Sequence, residues 1–341
     1  MSATAVSSPS RGAQATRSDP LVSVEDLQVR FISHETTISA VNGVNFTLAP
    51  GEVLCILGES GSGKSVTLRA LMRLLPPRRS QLSGRILIGG LDVMGLSRAE
   101  LTDLRGSKVA MIFQEPMTAF DPVFTIGNQI METVIQHDGL SRSDARKRAL
   151  ELLDMVQISS PARRLDNYPH EMSGGMRQRA MIALALSCRP SLLLADEPTT
   201  ALDATVQIQI LQLLRRLQRE LGMAVLFVTH DVGVAVEISD RIAVMYAGRF
   251  VETGPVRAII REPQHPYTQG LLASTVLGGM RGRRLEAIPG TPVNLLDLPP
   301  GCTFAPRCKH AEAICTKAVP AEVWLSPTRM ARCVRVGPAP V

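Results

Sequence analysis

The run Gly58-Glu59-Ser60-Gly61-Ser62-Gly63-Lys64-Ser65 meets the pattern G-x-x-x-x-G-K-[ST] at every fixed position. Residues of these types at this spacing bind phosphate. Glycines let the backbone fold close around an anion where side chains would collide. The N–H groups of the loop and of the helix it opens then point at the anion. Lys64 adds a charge that reaches the β- and γ-phosphates, and Ser65 offers a hydroxyl to Mg²⁺. Gly58, Ser60, Gly61, Gly63, Lys64, Ser65 and Val66 are the expected nucleotide-cradling set. A plain Gly/Ser-rich turn would lack the flanks seen here: 52–57 reads as a buried strand and 65–72 as a helix. The loop implies a nucleoside triphosphate and leaves its base and purpose open.

Further chemistry sits at the ends of apolar runs. Residues 191–195 form a continuous apolar stretch, the mark of a strand buried on both faces, and Asp196-Glu197 terminate it. Asp196 suits Mg²⁺ and its waters, and Glu197 suits a base that orients water toward a γ-phosphate. An acidic pair merely opening a helix is the bland alternative, which the phosphate loop in the same chain weakens. Gln114 ends the run 108–113 and His230 ends the run 224–229. The C-terminal ends of parallel strands are where α/β sheets bind ligands, although a lone His or loop amide is more often structural. Ser173 is a natural N-cap, and Gly174 and Gly175 behind it permit close approach of an anion at a helix start. A capped helix with no ligand is the other reading. Asp203 closes the loop 198–203.

The elements that must position these residues follow from periodicity. Residues 21–31 and 38–48 alternate as strands, 84–88 is a strand ending in Gly89-Gly90, and 97–105 is a short helix with Ser97 and Glu100 set for a capping box. From 118 to about 190 the pattern is helical. Residues 205–221 form an amphipathic helix stopped by Gly222, 241–246 and 249–251 a closing hairpin, and 255–261 a short helix. Phe31 ends its strand beside a polar loop; by pattern alone it is a core residue. The alternation of strands and helices predicts an α/β fold.

The 341 residues allow one large domain and a smaller one, and an apolar content of 45% supports a real core. The net charge of +6 suits nucleic acid or an anionic membrane surface, but positives and negatives are mixed and the basic runs are short. No apolar run approaches a membrane span. Residues 1–19, rich in Ser, Ala and Arg without an apolar centre, read as a disordered tail rather than a targeting segment.

In order along the chain these motifs resemble the ATPase subunits of ABC transporters: the Walker A loop, Gln114 as Q-loop, Ser173-Gly174-Gly175 of the signature, Asp196 and Glu197 of Walker B, Asp203 of the D-loop and His230 of the switch. The resemblance covers about 21–262. It implies a P-loop ABC cassette, with a RecA-like core, an antiparallel β subdomain and a helical subdomain at about 118–190. Met172 and Met176 depart from the usual Leu and Gln of the signature, but its Ser and glycines are intact. The resemblance further implies that two cassettes pair head to tail, each ATP lying between one Walker A loop and the partner's signature. Phe31 then stacks on adenine, and Gln114 joins Ser65 on Mg²⁺ and couples the γ-phosphate to the helical segment.

A narrower resemblance, to the dipeptide/oligopeptide (peptide/nickel) importer branch, rests on 173–179, His265-Pro266-Tyr267-Thr268 and the tail Gly301-Cys302-Thr303-Phe304-Ala305-Pro306-Arg307-Cys308. Asp121 stands where Asn is commoner in that branch. The implied division is a cassette at 20–262 followed by an extension at 263–341. The implied partners are a second ATPase subunit, identical or sister, two transmembrane permease subunits and a periplasmic or lipid-anchored solute-binding protein. The implied location is the cytoplasmic face of the inner membrane. The rival reading is a soluble ABC ATPase acting on nucleic acid or ribosomes; those relatives usually carry two cassettes or an inserted module, so no nucleic acid is expected here.

Cys302, Cys308, Cys315 and Cys333 crowd the tail. In a reducing cytoplasm disulfides are disfavoured. Zinc usually asks for C-x₂₋₄-C pairs, absent here, while an iron–sulfur cluster tolerates wider spacing. The importer branch is one in which such a tail can hold a 4Fe–4S cluster, and the resemblance implies one on these four residues. Four free thiols packed against the cassette, or zinc, are the alternatives.

Overall fold

The computed structural model describes residues 19–275, apart from 201, and residues 286–337. The expected tail at 1–19 lies outside them except for Asp19. Strands β1 (Val22–Ile32) and β2 (Thr37–Leu48) are followed by β3 (Val53–Leu57), α1 (Lys64–Leu71), β4 (Ser80–Ile88), β5 (Leu91–Asp92), α2 (Arg98–Ser107) and β6 (Val109–Ile112). The helical segment comprises α3 (Pro116–Ala119), α4 (Ile126–Asp138), α5 (Arg142–Met155), α6 (Pro161–Arg164) and α7 (Gly174–Ala185). Then come β7 (Leu192–Asp196), α8 (Ala204–Leu221), β8 (Ala224–Thr229), α9 (Val232–Ile238), β9 (Arg241–Tyr246), β10 (Arg249–Pro255), α10 (Val256–Arg261), α11 (Pro266–Ala273), β11 (Val323–Ser326) and β12 (Arg329–Ala331).

Two sheets form. One is four-stranded and antiparallel in the order β2-β1-β4-β5, and the other is eight-stranded in the order β11-β12-β10-β9-β3-β8-β7-β6. Within the larger sheet β9, β3, β8, β7 and β6 run parallel. Every residue of β3, β6, β7 and β8 is buried, as expected of strands covered on both faces. The two-residue period of the strand divides β3 between two cores. Val53, Cys55 and Leu57 pack with the helical segment, and Leu54 and Ile56 pack with the antiparallel sheet and α1.

Caps fall where the residue types require them. Ser97 and Glu100 close a reciprocal capping box on α2, with Ser97 N–H donating to Glu100 Oε2 at 2.7 Å. Gly222 ends α8 at φ 65°. Strand β10 runs four residues beyond the expected 251: residues 252–255 keep pairing with β9, and the tail adds a second partner, with Glu252 opposite Ala331 and Thr253 opposite Met330. A local sequence pattern does not carry that pairing. The tail also inserts Phe304 against Tyr246 and Tyr267, each with ring centroids 5.3 Å from it.

Candidate functional site

The parallel order explains how distant residues meet. The phosphate loop, His230, Asp196-Glu197 and Gln114 follow β3, β8, β7 and β6, four successive strands whose C-terminal ends share one edge. A cavity of about 410 Å³ lies there. Lys64, Ser65, Gln114 and Glu197 line it together with Phe31 and Ala40. Phe31 reaches it from β1, where it pairs with Ile38 of β2.

The loop requires its glycines at two points. Gly63 has φ 106°, and a Cβ there would come within 2.4 Å of the Ala40 carbonyl oxygen. A Cβ on Gly58 would lie 2.2 Å from the Met245 carbonyl oxygen. Lys64 is buried, and its ammonium donates to the carbonyls of Gly58 at 2.8 Å and Glu59 at 2.9 Å. Burial lowers its pKa, and the charge of Glu197, 3.9 Å away, opposes the shift.

Ser65 Oγ donates to Asp196 Oδ1 at 2.6 Å. Asp196 is 1% exposed, and burial raises its carboxyl pKa while the Ser65 bond and Arg69 oppose that. A hydroxyl and a buried carboxylate side by side are a hard oxygen pair, which suits Mg²⁺. Glu197 sits at φ 45°, an uncommon conformation for a non-glycine residue. Its N–H donates to Val228 O at 3.0 Å. Its Oε2 accepts from Thr200 Oγ1 at 3.0 Å and lies 3.0 Å from His230 Nδ1. The acid is thus held by a hydroxyl and an imidazole, with its other oxygen toward Lys64.

Ser173, Gly174, Gly175 and Asp203 do not line this cavity. Ser173 Oγ caps α7 by accepting from Met176 N–H. Asp203 Oδ1 caps α8, accepting from Thr205 and Val206 N–H. A Cβ on Gly175 would meet Val206 Cγ1 at 3.0 Å, so the signature helix start and the D-loop helix are in contact within the chain.

Residues without a chemical signature of their own join the site. Glu59, a variable position of the loop, accepts both arms of Arg307: Nη1 to Oε2 at 2.7 Å and Nη2 to Oε1 at 3.1 Å. Its N–H donates to Tyr267 Oη at 2.9 Å. The quoted runs holding Tyr267 and Arg307 were the available signal, but they do not say what those side chains touch. Thr200 and Arg69 were legible only as loop and helix residues.

The 4Fe–4S expectation on Cys302, Cys308, Cys315 and Cys333 is not supported. All four are free thiols, and burial raises the pKa of Cys302 and Cys333. Among the described residues no group of three or more His, Cys, Asp or Glu side chains is arranged to hold a metal ion. The backbone brings the tail turns together, with Cys302 N–H donating to Cys315 O at 2.7 Å, but not into a ligand set.

Comparisons with known proteins agree with this geometry. The ABC transporter family model matches residues 41–200, and the model of the oligopeptide/dipeptide transporter C-terminal region matches residues 251–315. The dipeptide transport ATP-binding protein of Bacillus subtilis is 46% identical over 316 residues, covering 92% of this chain and 94% of the relative. A putative peptide import ATP-binding protein of Brucella melitensis is 51% identical over 314 residues, with the same coverage. Among solved structures, a dimeric post-hydrolysis state of an ATP-binding cassette bound to ADP and Pi is similar at a TM-score of 0.62. It is 34% identical and covers 69% of this chain and 99% of its own. A Clostridium perfringens cassette, part of an ABC transporter complex, matches at a TM-score of 0.62 and 29% identity, covering 72% of this chain and 92% of that one. With a phosphate loop, an acid pair and a histidine on one sheet edge, and relatives matched over 92% of its length, the chain belongs to the ABC transporter ATP-binding family.

Proposed function

We propose that the chain hydrolyses ATP to power import of a peptide-like solute through a membrane ABC transporter. The observation that carries this reading is the division of the motifs. The phosphate loop, Gln114 and Glu197 line one cavity, and Asp196 and His230 join it through their hydrogen bonds to Ser65 and Glu197, while Ser173, Gly174 and Gly175 do not line it. A second cassette, identical or sister, placed head to tail supplies its signature to this cavity and receives this chain's signature at its own. Lys64 and the loop N–H groups bind the β- and γ-phosphates. Ser65, Asp196 and Gln114 hold Mg²⁺, whose charge neutralises the phosphate oxygens when it is bound. Glu197 orients the attacking water, and His230 holds Glu197 and faces the γ-phosphate. Phe31 stacks on the base.

The peptide assignment comes from the tail match and the relatives' names. Two permease subunits and a solute-binding protein complete the transporter. Val123 and Phe124, 68% and 51% exposed in the segment after Gln114, are an apolar surface suited to a permease contact. Among the described residues no helix is long and apolar enough to cross a membrane, so in this reading the subunit sits peripherally on the cytoplasmic face. The cassette at 20–262 does this work, and the extension at 263–341 braces it.

The test is purification of the complex through this subunit, identification of its partners, and peptide uptake by proteoliposomes. Permease subunits and ATP-dependent uptake of a di- or oligopeptide are expected. Co-purifying nucleic acid with no membrane subunit would overturn the reading.

A further inference from the structure

The tail reaches the nucleotide cavity itself. Leu295, in the segment 292–296, lines the same cavity as Phe31, Lys64 and Glu197. A second cavity, of about 390 Å³, is lined on one side by that segment and on the other by the phosphate loop. The two cavities share Ile38, Ser60, Gly61 and Leu295, so the space above the loop continues into the cleft under the tail.

This placement is fixed from three directions. Val293 N–H donates to Tyr246 Oη at 3.4 Å. Arg307, 7% exposed, ties the next part of the tail to Glu59 of the loop and donates from Nε to Pro289 O at 2.9 Å, just ahead of the segment. The segment also carries its own turn, with Leu296 N–H donating to Asn294 Oδ1 at 3.0 Å. Leu295 is therefore a positioned apolar group at a cavity whose phosphate end is Lys64, Ser65 and Glu197.

We infer that Leu295 is a nucleotide-binding residue: the tail supplies an apolar wall to the nucleoside end of the site. The sorting of the lining residues places it there. Ser60, Lys64, Ser65, Gln114 and Glu197 are the polar side chains for the phosphates and Mg²⁺, with Val66 beside them next to the loop, while Phe31, Ile38, Ala40 and Leu295 are the apolar groups that come from outside the loop and its helix, suited to a base and ribose. Leu295 and Phe31 belong to opposite ends of the sequence, so nucleotide affinity depends on the tail being docked. The inference rests on the nucleotide-site reading above.

The experiment compares Leu295→Asp, Leu295→Met and the unaltered full-length chain for binding of ATP and of inorganic triphosphate, with Lys64→Ala as the control for the phosphate site. Leu295→Asp is expected to weaken ATP about tenfold, the scale of part of one leucine side chain leaving an apolar contact. Triphosphate binding, which needs no base or ribose contact, stays within twofold, and Leu295→Met keeps ATP affinity within about threefold. Lys64→Ala weakens both ligands; if it weakens neither, the site reading itself fails. Unchanged ATP affinity in Leu295→Asp overturns the inference, as does an equal loss of both ligands, which would place the effect on the phosphate loop or on folding.

Discussion

His230 Nδ1 stands 3.0 Å from Glu197 Oε2, joining the ends of two adjacent parallel strands beside the cavity that Glu197 lines. Glu197→Gln keeps the shape and the bond from Thr200 but removes the base. ATP binding is expected to persist while hydrolysis falls at least 100-fold, because general-base contributions are of about that size. His230→Ala leaves the carboxylate in place and removes one group that holds it, so its loss is expected to be smaller at saturating ATP. Single-turnover and steady-state rates of the assembled complex measure both. Turnover of Glu197→Gln within a few-fold of the unaltered complex would remove Glu197 from the base role.

Lys64 and Ser173 separate the two halves of the proposed composite site. Lys64→Ala removes the ammonium that rests on the loop carbonyls and is expected to weaken ATP binding by the isolated subunit more than tenfold, the scale of a charge-assisted hydrogen bond. Ser173→Arg is expected to leave that binding within twofold and to abolish turnover in the complex, since in the proposed head-to-tail pairing the signature serves the partner's site. Equal loss of binding in the isolated subunit for both variants would exclude the head-to-tail arrangement.

The residues proposed to handle phosphate were legible in the sequence because phosphate binding constrains short runs: one loop, one acid pair and one residue at each strand end. Their meeting follows from the parallel sheet order; the apolar runs around 108–113, 191–195 and 224–229 marked the strands but not their order in the sheet. The contacts of the tail were not legible. Glu59 and Arg307 are 248 positions apart, and nothing in either local pattern names the other. The pairing of β10 with β12 has the same character, since Glu252 and Ala331 belong to distant parts of the sequence. The four tail cysteines show the reverse case: their spacing permits a cluster, but spacing alone does not orient thiols toward one point.

His265 gives a pH signature. Its side chain is 1% exposed, its Nδ1 accepts from Tyr267 N–H, and burial lowers its pKa to about 3. A folded pKa below the unfolded value near 6.5 means that the unfolded chain binds the extra proton first. The contribution of His265 is fully present above about pH 6.5 and is lost as pH falls from there toward 3. Between pH 4 and 6 the slope of unfolding free energy against pH is expected to be shallower in His265→Asn by up to one proton, or about 1.4 kcal/mol per pH unit. Urea denaturation across that range measures it. Parallel pH profiles would show that the imidazole is not held neutral.

Arg307 and Glu59 form the ion pair that joins the tail to the phosphate loop. Arg307 has little exposure and Glu59 is partly covered, so this is a two-armed pair with restricted access to water rather than a surface contact. Hydrogen bonding to Glu59 pushes the guanidinium pKa up. Removing the arginine leaves the Glu59 carboxylate without its partner on the phosphate loop, where in the proposed nucleotide site a free negative charge opposes a triphosphate. Arg307→Met is expected to raise the KM for ATP severalfold and to destabilise the chain by about 1–3 kcal/mol. Glu59→Gln, which removes the charge but keeps the shape, is expected to soften the KM effect when combined with Arg307→Met. A double-mutant cycle on unfolding free energy is expected to give a coupling of about 1–3 kcal/mol. Strictly additive variants, with KM for ATP unchanged in each, would show that the tail rests on the loop without holding it.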